Sequence, residues 1–379
     1  MFAVHIRWVL GATLTMAAAL GIARFAYTPL LPDMVQTLGW TFAQAGDVAS
    51  ANFLGYLVGA LLAPRFAHHT QIRLILAVSL MSIVGTTYLG AHTETFVAWL
   101  TLRFCAGAAS AFCLVIATTH LLMVLQQSQK EHLGNLHFAG VGIGIVTCMW
   151  VLGDIVSVTS SWQNLGAASA FLMAIAWFLL QQGPFLVPAQ SATGTTTESR
   201  KLWRVTIGYG LFGYGYVVSA TFVVAMGEQL NNQVHSASSI SVWMVVGLSI
   251  IPSVYLWQWL ANRWQLSKTL KLAYLVEAIG AVLAGLSTTQ LELVIACVLL
   301  GGTFAAITAL GISAAKSHTP GNIAFAVSGM TVAFSLGQLI GPAVSGRLAD
   351  VFGDFVWASL IAGLLLVIAA LLVPTRAND

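Results

Sequence analysis

Charge is scarce in this chain. Lysine, arginine, aspartate and glutamate together make up 7% of its 379 residues, whereas a soluble domain, whose surface must face water, carries roughly 25%. With 58% hydrophobic residues and a mean hydropathy of +0.87, a soluble globule is excluded. Too little polar surface exists to cover so much apolar area, so lipid has to be the solvent for most of it. A formal charge of +3, small and dispersed, excludes a nucleic-acid surface. Cysteine is sparse too. Cys105, Cys113, Cys148 and Cys297 all fall in apolar runs without metal-ligand spacing and read as small packing residues. A phosphate-cradling glycine loop, a His-Glu-x-x-His zinc helix and paired ligands at metal spacing are all missing, so no metal and no cofactor is expected. The polar loops are too short to hold the soluble nucleotide domain that an ATP-driven pump needs.

What the chain does have is apolar runs of spanning length, about 20 residues each. They predict helices near 8–31, 45–64, 73–90, 96–125, 135–157 and 164–183, then 203–226, 238–261, 270–288, 292–315, 322–346 and 355–374. The first run looks like a signal peptide, with His5 and Arg7 before an apolar stretch and Ala17-Ala18-Ala19 as a cleavage site. It continues past Arg24 to Leu31, however, so it reads as a span. Residues 184–202, rich in Pro, Ser and Thr, form the one long polar interruption and read as a cytoplasmic linker. The expected fold is an all-α membrane protein of twelve transmembrane helices in two pseudosymmetric six-helix bundles, residues 1–183 and 203–379. Basic residues sort by side. Arg7, Arg65, Arg73, Lys130, Arg200, Lys201, Arg204, Arg263, Lys268, Lys271, Lys316 and Arg376 share one face, and only Arg347 lies on the other. By the positive-inside rule both termini are cytoplasmic.

The halves also resemble each other. Gly21–Met34 aligns without gaps to Gly213–Met226 at an offset of 192, and Gly55 meets Gly247 at the same offset. Few positions are identical, but with the central linker they support two bundles related by an axis along the membrane normal. Such repeats rock about a central site.

Arg24 is the most informative residue. It lies about 16 residues into the first span, roughly 24 Å along the axis at 1.5 Å per residue. A buried arginine costs at least about 2.5–3.5 kcal/mol in the bilayer, so it must face a cavity or a partner. It reads either as a fixed positive charge for an anionic group or as a cap on carbonyls freed by the kink at Pro29 and Pro32. Tyr27 follows at i+3, on the same helical face. Arg103, beside the small-residue face of Gly107 and Ala111, is the second buried cation, and it reads either as a functional charge or as an arginine that simply bonds to neighbouring carbonyls. Asn52 and Tyr56 are four apart on the second helix. Tyr209, Gly213 and Tyr216 share a face of the seventh, with Tyr216 opposite Arg24 in the repeat. Substrate-binding candidates are therefore Arg24, Tyr27, Asn52, Tyr56, Arg103, Tyr209 and Tyr216. Ser328, Thr331, Ser335 and Gln338 form a polar stripe that lines water or joins two helices. For proton coupling the candidates are Glu277, the most clearly embedded acid, with Asp47, Asp154 and His120; His137 is a further embedded histidine.

With twelve spans, a central linker and these motifs, the chain resembles the major facilitator superfamily over essentially its whole length. Arg103 with Gly107 is similar to that superfamily's helix-4 pattern, which the resemblance links to proton-coupled transport. The run Gly21-Ile-Ala-Arg-Phe-Ala-Tyr-Thr-Pro-Leu-Leu-Pro-Asp-Met34, with Ala220-Thr221-Phe222, resembles the bacterial YbfB/YjiJ branch. The resemblance implies a cavity lined by helices 1, 4, 7 and 10. One motif departs. The loop after helix 2 usually carries Gly-x-Leu-Ala-Asp-Arg, but here Gly59-Ala-Leu-Leu-Ala-Pro-Arg65 has alanine at the acidic position. Gly346-Arg-Leu-Ala-Asp350-Val-Phe-Gly353 looks like the motif but follows helix 11 on the outer side, where it reads as a turn at a helix end.

The expectation is thus a carrier for a small organic solute, anionic or zwitterionic, working by alternating access with proton coupling, export slightly favoured. It would act as a monomer in the lipid of a bacterial inner membrane. A membrane-embedded enzyme acting on lipid substrates would show acidic clusters or His–Asp pairs at a membrane face, and none is visible. A facilitative channel would show neither coupling nor a conformational cycle.

Overall fold

A computed structural model describes residues 4–66, 71–130, 133–153, 157–181, 200–234, 240–318 and 323–374. The first span comprises α1 (Val4–Met16), a π-helical turn (Ala17–Ile22), irregular residues 23–26 and α2 (Tyr27–Leu38). After it come α3 (Phe42–Phe66), α4 (Ile72–Leu89), α5 (Phe96–Gln127), α6 (Ala139–Leu152) and α7 (Val158–Gln181). The second series is α8 (Arg200–Val234), α9 (Ile240–Arg263), α10 (Leu266–Leu286), α11 (Gln290–Ser317), α12 (Ile323–Phe352) and α13 (Val356–Leu372). With the broken first span counted once, these are the twelve expected helices, and the described residues contain no strand. Nine described helices are long and apolar enough to cross a membrane, and α13 and the segment around α6 are shorter apolar helices. Large apolar side chains stand outward, Trp150 at 79% exposure and Leu371 at 70%, as lipid-facing surface should. The greater part of the linker, residues 184–199, lies outside the described residues.

Contacts divide the chain into two units. One combines Met1–Leu38 with Ala51–Gln190, and the other Gly39–Ser50 with Ser191–Asp379. The sequence places all of 1–183 together, so the first turns of α3 are the difference. Their attachment within the second unit is specific. The Phe42 and Ala43 N–H groups donate to the two carboxylate oxygens of Asp350 at 2.9 and 2.8 Å, which caps the positive end of α3. Arg347 pairs with Asp47 in a two-pronged ion pair at 2.7 and 3.0 Å. Of the Gly346–Gly353 stretch read as a turn at a helix end, Gly346–Phe352 is the closing part of α12 and the turn comes at Gly353, whose φ of +79° suits glycine.

Inside each unit, helices cross at glycine. A Cβ on Gly107 of α5 would sit 1.9 Å from the Asn52 carbonyl oxygen of α3, and one on Gly55 equally close to that of Phe104. In the second unit, Gly213 of α8 and Gly337 of α12 meet the backbones of Phe334 and Gly210 in the same manner. With no hydrophobic drive between helices in lipid, such backbone contact supplies the cohesion.

Gly107→Ala should therefore force α3 and α5 apart at a cost of about 1–3 kcal/mol, read as a lower melting temperature of the detergent-purified protein. Gly85→Ala, where an added Cβ meets nothing within 4 Å, should leave it unchanged or slightly higher. Equal effects of the two would refute the crossing.

Candidate functional site

The first span breaks where its prolines require. Pro29 has no N–H, its ring collides with the carbonyl four residues back, and it disfavours helical backbone at Thr28. Ahead of it, the N–H groups of Ala23 and Phe25 reach back five residues, to the carbonyls of Ala18 and Leu20. This wider spacing is the mark of a π-bulge. Backbone carbonyls at such a break are costly to leave bare in a bilayer. Arg103 satisfies them: its Nη1 donates to Ala23 O at 2.6 Å and its Nη2 to Arg24 O at 2.9 Å. Of the two readings for Arg103, the geometry is that of the carbonyl cap.

Arg24 is held differently. Only 6% exposed, its guanidinium carbon lies 4.5 Å from the centre of the Phe53 ring, 4.8 Å from that of Tyr56 and 5.5 Å from that of Phe25. Ring faces attract a guanidinium through their quadrupoles. Tyr27 lies instead under Arg103, 5.1 Å from its guanidinium carbon; helical i+3 spacing does not carry across the irregular residues between Arg24 and Tyr27. Asn52 donates from Nδ2 to the Arg103 carbonyl at 2.9 Å, while its buried Oδ1 has no partner. The structure thus gathers five sequence candidates, Arg24, Tyr27, Asn52, Tyr56 and Arg103, into one cluster of the first unit. It adds Phe53 and Phe25. Phe53, three residues before Tyr56, was available to the same helical spacing that paired Asn52 with Tyr56.

Tyr209 and Tyr216 belong to the second unit, in a column of rings. Tyr216 stacks on Phe304 of α11 with centroids 4.6 Å apart and on Phe334 of α12 at 5.5 Å, and Tyr209 stacks on Phe334 at 4.9 Å. Gln338 donates from Nε2 to the Tyr216 hydroxyl, so this part of the polar stripe joins α12 to α8. Arg24 and Tyr216 fall in different units.

The proton-coupling candidates part company. Glu277 has no exposed surface and contacts Thr303. Asp47 is committed to the ion pair with Arg347, a partly exposed surface pair. His120 is buried, donates from Nδ1 to Ile116 O and stacks on Trp8. His137 is bonded at both ring nitrogens, to Gly134 O and to the Thr118 hydroxyl. Asp154 lies outside the described residues.

Residues 16–374 match the family described as "Uncharacterised MFS-type transporter YbfB". Among curated proteins, a chloramphenicol resistance protein of Streptomyces lividans is 32% identical over 101 residues, 27% of this chain. The chain thus spans about a quarter, 26%, of that relative's length. Among solved structures, the nucleoside transporter NupG is similar at a TM-score of 0.73 and 16% identity, covering 98% of both chains. A single-substitution variant of NupG gives 0.77 and 16%, over 97% of this chain and 98% of that one. These likenesses describe the fold.

Arg103→Lys tests the carbonyl cap. Lysine keeps the charge but not the planar fork, so one carbonyl of the break loses its donor, at about 1–3 kcal/mol. The purified variant should melt earlier than wild type. Wild-type stability would overturn the cap.

Proposed function

On the premise that the chain belongs to the YbfB-type family of major facilitator transporters, we propose that this multi-pass membrane transporter carries a small organic solute bearing a carboxylate or similar anionic group. The observation that carries this reading is the Arg24 guanidinium held on the faces of Phe25, Phe53 and Tyr56. Aromatic faces attract a guanidinium through their quadrupoles and so fix its position. A carboxylate meeting the planar fork in two parallel hydrogen bonds neutralises it with directional specificity. Asn52 Oδ1, buried and unpartnered, supplies an acceptor close by for the amino group of a zwitterion. Arg103 acts here as a positioning residue, since it holds the backbone from which Arg24 projects. Tyr209 and Tyr216 are further solute-binding candidates, in the second unit, and Tyr216 holds the position that corresponds to Arg24 in the repeat.

Transport proceeds by alternating access of a monomer in a bacterial inner membrane, with both termini cytoplasmic, and is coupled to protons. The partial match to a resistance protein supports export. Nothing in the reading calls for turnover of a lipid substrate.

The test is a thermal-shift screen of detergent-purified protein against carboxylates, amino acids, nucleosides and uncharged drugs. A solute that binds only the folded protein at a hundred times its Kd stabilises it by about 2.7 kcal/mol. Carboxylate-bearing solutes should raise the melting temperature of wild type. Arg24→Ala should fold and lose that rise, and Arg24→Lys should retain only part of it. A solute that stabilises Arg24→Ala as well as wild type removes Arg24 from the site. In proteoliposomes the same solute should move saturably under an imposed pH gradient; flux indifferent to the gradient favours a channel.

A further inference from the structure

Resting on the proton-coupled reading above, we propose that Glu277 is the proton-bearing site of this transporter and that it stands in the structure as a carboxylic acid bonded to Thr303. Glu277 lies on α10 with no exposed surface. Thr303 Oγ1, on α11, lies 2.5 Å from Glu277 Oε2, 2.6 Å from Leu299 O and 3.4 Å from Leu300 O. A threonine hydroxyl has one hydrogen to donate. Leu299 O, four residues back, is its habitual acceptor within a helix. With the hydrogen there, Glu277 Oε2 can be bonded to the hydroxyl only by donating a proton of its own.

The surroundings favour the same state. Glu277 Oε1 is buried and has no partner, so an ionised carboxylate would have at most one donor for two oxygens. Burying such a charge is strongly unfavourable unless it is paired. Among the described residues no lysine, arginine or histidine forms an ion pair with it. The titratable groups that face it are Tyr274, one turn earlier on α10, and beyond that Tyr209 of α8. Helix α13 carries no titratable residue. On α11 Cys297 is buried, and Glu292 is engaged by the N–H groups of Thr288 and Thr289; on α9 Arg263 lies over Trp259.

The proton balance is simple. Loss of the Glu277 proton to a water molecule leaves a carboxylate and a hydronium ion, and the Thr303 hydroxyl turns from Leu299 O to donate to the carboxylate. Tyr274 packs on Phe212, and Phe212 on Tyr216, so a change at Glu277 reaches the ring column through side chains in contact.

Infrared spectroscopy of the full chain in lipid at pH 7 reads the proton without any solute. The carbonyl stretch of a protonated carboxylic acid should be present in wild type and lost in Glu277→Gln, and it should shift on transfer to D2O. Thr303→Val should move the band toward that of an unbonded acid, which keeps the test open if Glu277→Gln does not fold. A band absent from wild type, unchanged by Glu277→Gln or unmoved by Thr303→Val overturns the assignment; one that never deuterates marks a sealed structural acid and overturns it too. For a solute from the Arg24 screen, Glu277→Gln should keep exchange and lose gradient-driven accumulation, and accumulation at the wild-type level defeats the coupling role. Failure of that screen leaves the infrared result standing, and failure here leaves Arg24 as the anion site.

Discussion

Two hydrogen bonds from Arg103 to the carbonyls of Ala23 and Arg24 allow a transmembrane helix to be interrupted at all. Lipid supplies no donors, so a bare carbonyl in the bilayer costs several kcal/mol. Prolines 29 and 32 and the π-bulge before them make the interruption unavoidable. Once α5 bonds to the backbone at the break, the irregular residues become a fixed platform rather than a defect. Arg24 projects from that platform onto three ring faces. The close crossing of α3 and α5 at Gly55 and Gly107 brings Asn52, Phe53 and Tyr56 within reach of both arginines. One buried cation holds backbone carbonyls, and the other is held on ring faces.

A second electrostatic device sits at the start of α3. The family's charge motif is altered in the segment ending at Arg65, where alanine replaces the acidic residue. At the opposite end of the same helix, Asp350 caps the first two N–H groups and Arg347 holds Asp47. A carboxylate at a helix N-terminus contributes about 0.3–1 kcal/mol at an exposed site, and an exposed ion pair adds little. These contacts confer register and attachment more than stability. They account for the assignment of Gly39–Ser50 to the second unit.

The two units use glycine alike and polar chemistry differently. In the first, two guanidinium groups lie among carbonyls and ring faces; in the second, a column of rings is tied by Gln338 to Tyr216, and Glu277 is fully buried. On the proposed reading, solute and proton bind in different units and need not compete for one residue.

By itself the sequence determined that this chain lives in lipid, that it crosses about twelve times, and that Arg24 and Arg103 must be partnered. Composition and the cost of a buried charge are properties of the chain before it folds. Helical spacing likewise tied Asn52 to Tyr56. Only the tertiary structure decided which arginine caps carbonyls and which faces the rings, because helical spacing does not tell which neighbouring helix a buried guanidinium meets. It also decided that Tyr27 pairs with Arg103 rather than following Arg24, since the backbone between them leaves the helix. That Asp350 caps α3, more than 300 residues away, and that Thr303 meets Glu277 are contacts between distant segments. No local periodicity encodes them; they exist only where backbones packed at glycine bring those segments together.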